Sequence, residues 1–419
     1  MFDVIMKDIL GTPAILVGLF ALIGLLLQKK GIADTVAGTL KTIMGFILLS
    51  AGANVIIGAL DIFGKMFSQA FQISGVIPNN EAIVAVAQET FGTETALIMV
   101  FGMIINILLA RFTPLKYIFL TGHHTMFMAC MIAVILITGG IKGVPLVLIG
   151  SMILGACMVL FPALLQPFVR KITGSDDFAV GHFGSVGYFL AGLVGKWLGD
   201  EKKSTEEIKV PKQLGFLRDT SVAVSLTMAV LFLVVSLFAG KGFIEKELSD
   251  GTNFIVFSFI QAITFAAGVY IVLQGVRIIL AEIVPAFKGI AEKLVPDAKP
   301  ALDCPTVFPF ASNAVVIGFL MSFLAGLISM FLLPLVGLTV IVPGLVPHFF
   351  TGATAGVFGN ATGGRRGAVL GAFANGLIIS FLPALLLPML GALGYKGTTF
   401  GDADFGIVGL ILGGIVNLF

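Results

Sequence analysis

Two adjacent histidines, His123 and His124 in "LTGHHT", and a third, His182 in "VGHFGS", stand at the mouths of nearly unbroken apolar runs. With them go Asp303 in "ALDCP", Asn79, Asn80 and Glu81 in "IPNNEA", Asn313 in "FASNAV", and Thr354 and Asn360 in "TGATAGVFGNA". Polar or ionisable side chains at membrane depth are expensive, so each is a functional candidate. Imidazoles and amides donate and accept, carboxylates accept from hydroxyls, and no group of Arg converges within an apolar run to hold a strong anion. The chemistry on offer is recognition of a small, hydroxyl-rich solute. Neighbours on a helix point about 100° apart. His123 is therefore the expected ligand-facing member of its pair, and His124 the one that satisfies a neighbouring element.

Catalytic alternatives lack their signatures. No HExxH sequence offers two imidazoles and a base on one helix face, and "ATGGRRG" lacks the Lys followed by Ser or Thr of a phosphate-cradling loop. Around Ser185 the chain reads "HFGSVGY", which is not a nucleophile elbow. Cys130, Cys157 and Cys304 have no paired spacing for a disulfide or a zinc site, and Cys304 beside Asp303 makes a poor nucleophile. The reading expects no catalytic residue, no metal, no cofactor and no nucleic-acid partner.

The elements that must position these groups are membrane helices. Hydrophobic residues make up 58% of the 419 positions and charged ones 11%, with a mean hydropathy of +1.08, a balance that excludes a water-soluble domain of this length. Each crossing needs about 20 apolar residues. Clear windows run Thr12 to Leu27, Ile43 to Ile62, Ala96 to Leu109, Val144 to Leu165, Val222 to Ala239, Phe254 to Leu273, Val315 to Val342, Gly367 to Leu393 and Phe405 to Phe419. Shorter and broken stretches bring the expectation to about ten or eleven crossings. They must be helical, because none alternates like a barrel strand and lipid satisfies no backbone group. The first run follows Asp3, Lys7 and Asp8 and ends in "LLLQKKG", so it is expected to stay as a span. Lys29 and Lys30, Arg111 and Lys116, Arg170 and Lys171, and the polar stretch Lys196 to Asp219 belong on the cytoplasmic side, which puts the amino terminus outside.

Gly and Pro interleave with polar residues in "DFAVGHFGSVGYF", "PDAKPALDCPTVFPFASNAVV" and "VPGLVPHFFTGATAGVFGNATGGRRG". Such segments suit half-helices or re-entrant hairpins that dip into a protein-lined cavity. The segments Ile47 to Met66 and Ile271 to Ile290 align without a gap in apolar and small residues, and each carries one mid-run acid, Asp61 or Glu282. That likeness suggests an internal duplication, with coincidence as the competing explanation in so apolar a chain.

The quoted histidine segments, the stretch from Gly275 to Phe319 and "VPGLVPHFFTGATAGVFGN" together resemble the IIC membrane component of the L-ascorbate branch (ascorbate/galactitol superfamily) of the bacterial phosphoenolpyruvate-dependent phosphotransferase system, PTS. The resemblance implies an all-α polytopic protein of about 11 transmembrane helices, with re-entrant hairpins and inverted repeats. Its halves would be about 1–195 and 220–403, with a cytoplasmic amphipathic linker at about 196–219 and a final helix at about 404–419. It further implies a homodimer in the bacterial inner membrane, with a V-shaped dimerisation part and a mobile core that moves like an elevator. A separate IIB protein, charged by IIA and carrying the phosphoryl group on its own residue, would phosphorylate the delivered solute. By the same resemblance His123, His182 and Asp303 line the substrate site, with Phe183 beside the second histidine, Thr354 in a hairpin, and Asn80 and Glu81 near another site segment. The chain departs from the ascorbate pattern where glutamines follow each motif histidine: Phe127 and Met128 stand after the first, Phe183 after the second. A pentitol, a hexitol or a related sugar acid stays open beside L-ascorbate. An ion-coupled secondary transporter using Glu81, Glu282, Asp303 or the histidines is the rival reading; a membrane-embedded enzyme is a third, disfavoured by the missing nucleophile and metal motifs.

Overall fold

The apolar windows of the sequence are helical over most of their described lengths in the computed structural model, which describes residues 12–72, 75–208, 220–395 and 397–416. The helices are α1 Pro13–Leu27, α2 Ile32–Phe71, α3 Asn80–Phe112, α4 Gly122–Thr138, α5 Gly143–Thr173, α6 Ser185–Leu198, α7 Thr220–Ala239, the single turn α8 Lys241–Phe243, α9 Phe254–Lys293, α10 Ser312–Leu335, α11 Leu345–Leu386 and α12 Ala403–Val416. Among the described residues, six helical stretches are long and apolar enough to cross a membrane, and the pair Val224–Ala239 and Lys241–Leu248, bent by 101°, makes a seventh. The protein is thus a multi-pass membrane protein. Length and composition support fewer crossings than the ten or eleven expected, because α1, α4 and α12 are short and α11, although it folds back on itself, counts as one stretch.

Gly364 sits inside α11 at φ 57 and ψ −145, a conformation open essentially to Gly alone. The chain doubles back there. A Cβ on Gly359 would overlap the carbonyl oxygen of Gly367, eight residues on, whereas a straight helix would hold the two about 12 Å apart. Asn375 Nδ2 likewise donates to Thr351 Oγ1 at 3.1 Å across the two arms. The Gly-rich run therefore forms a helical hairpin, as its composition suggested, and its tip meets the polar loop at Asp200 and Lys203.

The two 40-residue helices, α2 and α9, pack antiparallel along a seam of small residues. Gly52 lies against Gly268 and Val272, and Gly45 against Ile278 and Ile279. Backbones approach closely there, the means by which apolar helices associate when no hydrophobic force separates them from lipid. Lys41 Nζ meets Glu282 at 3.2 Å across the same seam, which gives Glu282 a structural partner.

Five short strands among the described residues are the feature an all-α expectation missed: β1 Ile77–Pro78, β2 Tyr117–Phe119, β3 Ala179–Val180, β4 Lys299–Leu302 and β5 Thr398–Thr399. Strands of two to four residues carry no readable alternation. They form a parallel sheet in the order β2-β4-β3 and a parallel pair β1-β5, which a bridge between Val76 and Ile341 extends on its other side. Backbone edges at this depth need partners. Asn106 of α3 supplies them for β2, donating from Nδ2 to Tyr117 O and accepting from Phe119 N, both at 3.0 Å.

Candidate functional site

Parallel strands point their carboxyl ends the same way, and the first sheet uses this to gather its chemistry. β2 leads into Thr121 and His123, β3 into His182, and β4 into Asp303. The ladder continues past the strands, with Leu120 N donating to Ala301 O at 2.9 Å and Gly181 N to Leu302 O at 2.7 Å. Thr121 Oγ1 donates to Gly181 O at 2.5 Å, tying the first and third connections together. The result places His123 Nε2 3.5 Å from Asp303 Oδ2 and His182 Nε2 3.9 Å from Asp303 Oδ1. The β1-β5 pair repeats the device. Asn80 Nδ2 donates to Asp402 Oδ2 at 2.7 Å, and Gly401 N donates to Asn80 Oδ1 at 2.8 Å.

Both sets face one cavity of about 770 Å³, within the size range of small-molecule sites. Asn80, His123, His124, His182, Asp303 and Asp402 supply its polar wall, and Phe127 and Pro347 part of its apolar wall. The opposite side is α2, which contributes Phe46, Leu49, Ser50, Ala53, Asn54 and Ile57. Among the lining residues there is no Lys or Arg.

The protonation of His182 follows from its neighbours. Gly184 N–H can only donate, and it reaches His182 Nδ1 at 3.1 Å, with Tyr188 Oη 2.8 Å from the same atom. Nδ1 is therefore an acceptor, and the ring proton sits on Nε2, facing Asp303 and the cavity. A hydroxyl bound there meets an N–H donor and a carboxylate acceptor side by side. The geometry also limits metal chemistry. Donor atoms of His124, His182 and Asp402 lie within 4.8 Å of one another, but a protonated Nε2 offers no lone pair. His123, His124 and Asp303 form the other cavity trio, with the donor types of a two-histidine, one-carboxylate centre.

His123, His182, Asp303 and Asn80 thus come together as the sequence implied. Glu81 takes the second position of α3, and its side chain lies outside the described residues. Thr354 and Phe183 are buried behind the cavity rather than on its wall. Thr354 Oγ1 donates to Phe350 O at 2.7 Å within its own helix, and Phe183 stacks on Phe119 at 4.9 Å. Asn79 caps α3 by accepting from Ala82 N. Asn313 and Asn360 clamp the polar loop, bonding Thr205 O and Thr205 N respectively. These three amides are structural.

His124 differs from expectation. Its ring lies 3.8 Å from that of His182 and stacks on Phe405, it lines the cavity, and its Nδ1 has no hydrogen-bond partner among the described residues. The two neighbours share a wall because both occupy the first turn of α4, their rings 4.8 Å apart. Asp402 and Asp404 were not singled out, although "FGDADFG" sets two acids at the head of the last apolar run, the signal that identified Asp303. Asp404 is fully buried and accepts from Ser185 N and Val186 N, both at 2.8 Å, so it holds the amino terminus of α6 and with it the His182 turn.

Outside the membrane spans, Asp176 braces the sheet from its amino-terminal edge. It meets Arg170 at 2.7 Å and Lys299, the first residue of β4, at 2.5 Å, and accepts from Gln166 at 2.6 Å. Burial raises its pKa, but the hydrogen bonds from Arg170, Lys299 and Gln166 outweigh it and hold the carboxyl at about 2.

A family model of the PTS system sugar-specific permease component (EIIC-GAT) matches residues 8–404. The ascorbate-specific PTS system EIIC component of Mycoplasma pneumoniae is 28% identical to the chain, with 85% of this chain and 62% of that protein covered. The chain thus spans 62% of the length of that relative. A match over nearly the whole sequence, on a helical membrane protein whose conspicuous polar residues converge, shows that the chain belongs to the family of PTS sugar-specific permease components.

Proposed function

We propose that the chain carries a small polyhydroxylated solute, with L-ascorbate the first to be tried, across the bacterial inner membrane for phosphorylation by a separate IIB protein. The observation that carries this reading is the convergence of His123, His182, Asp303, Asn80 and Asp402 on one cavity of about 770 Å³. Donors and acceptors alternate around it, and no basic side chain demands a strong anion. L-ascorbate comes from the name of the relative; Phe127 on the wall, one of the two residues standing after the first motif histidine where the ascorbate resemblance implies a glutamine, keeps pentitols and hexitols in the comparison.

The movement we propose is elevator-like. In its favour, the ionisable groups of the cavity all belong to α4 and the connections that follow β3, β4 and β5, whereas the stretch of α2 on its wall offers apolar, small and uncharged residues. A core can slide along such a wall without breaking ion pairs. Inverted repeats are supported by matched spacings: β1 begins six residues after α2 ends, and β4 six residues after α9 ends. They are supported too by strand order, since β4 of the second half lies between two strands of the first, and β1 of the first between two segments of the second. α6, which follows β3, and α12, which follows β5, would then be counterparts, which puts the last helix inside the second repeat. The homodimer belongs to the same proposal, and native mass spectrometry in lipid tests it.

The test of function is uptake into vesicles of purified protein. Group translocation requires phosphorylated IIB and yields phosphorylated solute. Unchanged solute driven by an ion gradient would refute it in favour of a secondary transporter.

A further inference from the structure

The lining of α2 does not stop at the cavity. Ser50, Asn54 and Ile57 face it, and on the same helix Asp61, Lys65 and Ser68, with Gln72 just past its end, face a second cavity of about 820 Å³. Steps of three and four residues keep the helical ones on one side of a 3.6-residue helix. From Ser50 to Ser68 this face runs about 27 Å. Val346 lines both cavities, Asn79 lines the outer and Asn80 the inner. The two spaces therefore lie end to end, divided by the strand Ile77–Pro78 and the first turn of α11. Asp61 and Lys65 are costly residues for a membrane helix, and among the described ion pairs none joins them to each other or to a third group. Lys29 and Lys30 at the start of α2 place its other end, and this cavity, on the outer side.

We propose that the outer cavity is a second binding station for the same hydroxyl-rich solute, occupied before the inner site. Asp61 accepts from hydroxyls, Lys65 donates to ring or chain oxygens, and Ser68 and Gln72 do either. The station rests on the transport reading above, and its test separates the two.

Single cysteines report on each space, because Cys130, Cys157 and Cys304 are buried and stay silent to a membrane-impermeant thiol reagent. Ser68→Cys is placed in the outer cavity and Ser50→Cys in the inner, in whole cells, with L-ascorbate, a pentitol and a hexitol each tried as protectant. Ser68→Cys is expected to react from outside, and a solute at ten times its Kd slows that reaction about elevenfold by mass action. The protection at residue 68 is expected to persist when His182→Ala, or Asp303→Asn if that variant misfolds, has removed the inner site. Loss of protection at 68 in both backgrounds shows that it reported movement of the core, and overturns the station. Protection at Ser50→Cys alone overturns the station and leaves the inner site standing. Protection at neither position by any of the three solutes overturns both.

Discussion

Asp303→Asn separates recognition from folding, because the carboxylate has two duties that an amide splits. Its Oδ1 accepts from Cys304 N at 2.7 Å and so starts the helical turn Cys304–Phe310. Asn keeps a carbonyl oxygen for that bond, so the turn and the register of β4 survive. The other oxygen faces His123 Nε2 at 3.5 Å and is the acceptor a solute hydroxyl would use. In Asn it becomes an NH2 group, a donor beside His123 Nε2 where a solute hydroxyl would have met a charged acceptor. Losing a hydrogen bond to a charged acceptor costs about 1.5 to 3 kcal/mol, which at 1.4 kcal/mol per decade weakens binding about 12- to 140-fold. Calorimetric titration of lipid-embedded protein with whichever solute binds the wild type reads this directly, and a thermal melt checks the fold. Wild-type affinity in a folded Asp303→Asn variant would refute the assignment. So would a collapse of the melting temperature, since the carboxylate would then be chiefly structural.

Three further outcomes follow from the same geometry. Thr354→Val should leave solute affinity within about twofold, because the hydroxyl is bonded within its own helix and lies off the cavity; titration showing a tenfold loss would return Thr354 to the site. Asp404→Ala strips the acceptor from one buried and one half-buried N–H group, at about 1 to 3 kcal/mol for the buried one and less for the other, so the melting temperature should fall, and with Asp404→Asn, which keeps one acceptor, it should fall less. Asp176→Asn should cost at most about 1 kcal/mol, since the group is 44% exposed. The sign follows from a folded pKa of about 2 against an unfolded value near 3.9. The contribution is full above about pH 4 and is lost as pH falls toward 2, so melts of wild type and variant should differ by a constant amount from pH 7 to pH 5 and converge only in that acid window.

The spans and most of the cavity's polar residues were legible because lipid is a strict solvent. A polar side chain at the mouth of a long apolar run or in a Gly- and Pro-broken one stands out, and His123, His182, Asp303 and Asn80 were found that way. What the sequence concealed was the means of convergence. Strands as short as Ala179–Val180 have no period to read, and pairing β2 with β4 joins residues 182 positions apart. Asn79, Asn313 and Asn360 mark the other limit. Residue type distinguishes a costly polar group but not its partner, and these amides turned out to serve backbone at a cap and a loop. Asp402 and Asp404 carried the same signal as Asp303, acids at the head of an apolar run, and were not singled out.

The cavity keeps carboxylates at membrane depth without a basic side chain on its wall, and helix ends offer the physical means. Helices α3, α4, α6, α11 and α12, with the turn Cys304–Phe310, all begin at or beside the cavity. Each amino terminus presents unsatisfied N–H groups and about half a positive charge, favourable to a nearby anion by roughly 0.3 to 1 kcal/mol and more where buried. Asp303 stands at the head of one such turn, Asp404 accepts from the first two N–H groups of α6, and Asp402 precedes α12. Fixed backbone dipoles therefore do what Lys or Arg would do in water, and they do it without a flexible cation that would pair with the acids and block them. Asp303 Oδ2 stays available to a hydroxyl donor, the property that the proposed carriage of oxygen-rich, weakly charged solutes would require.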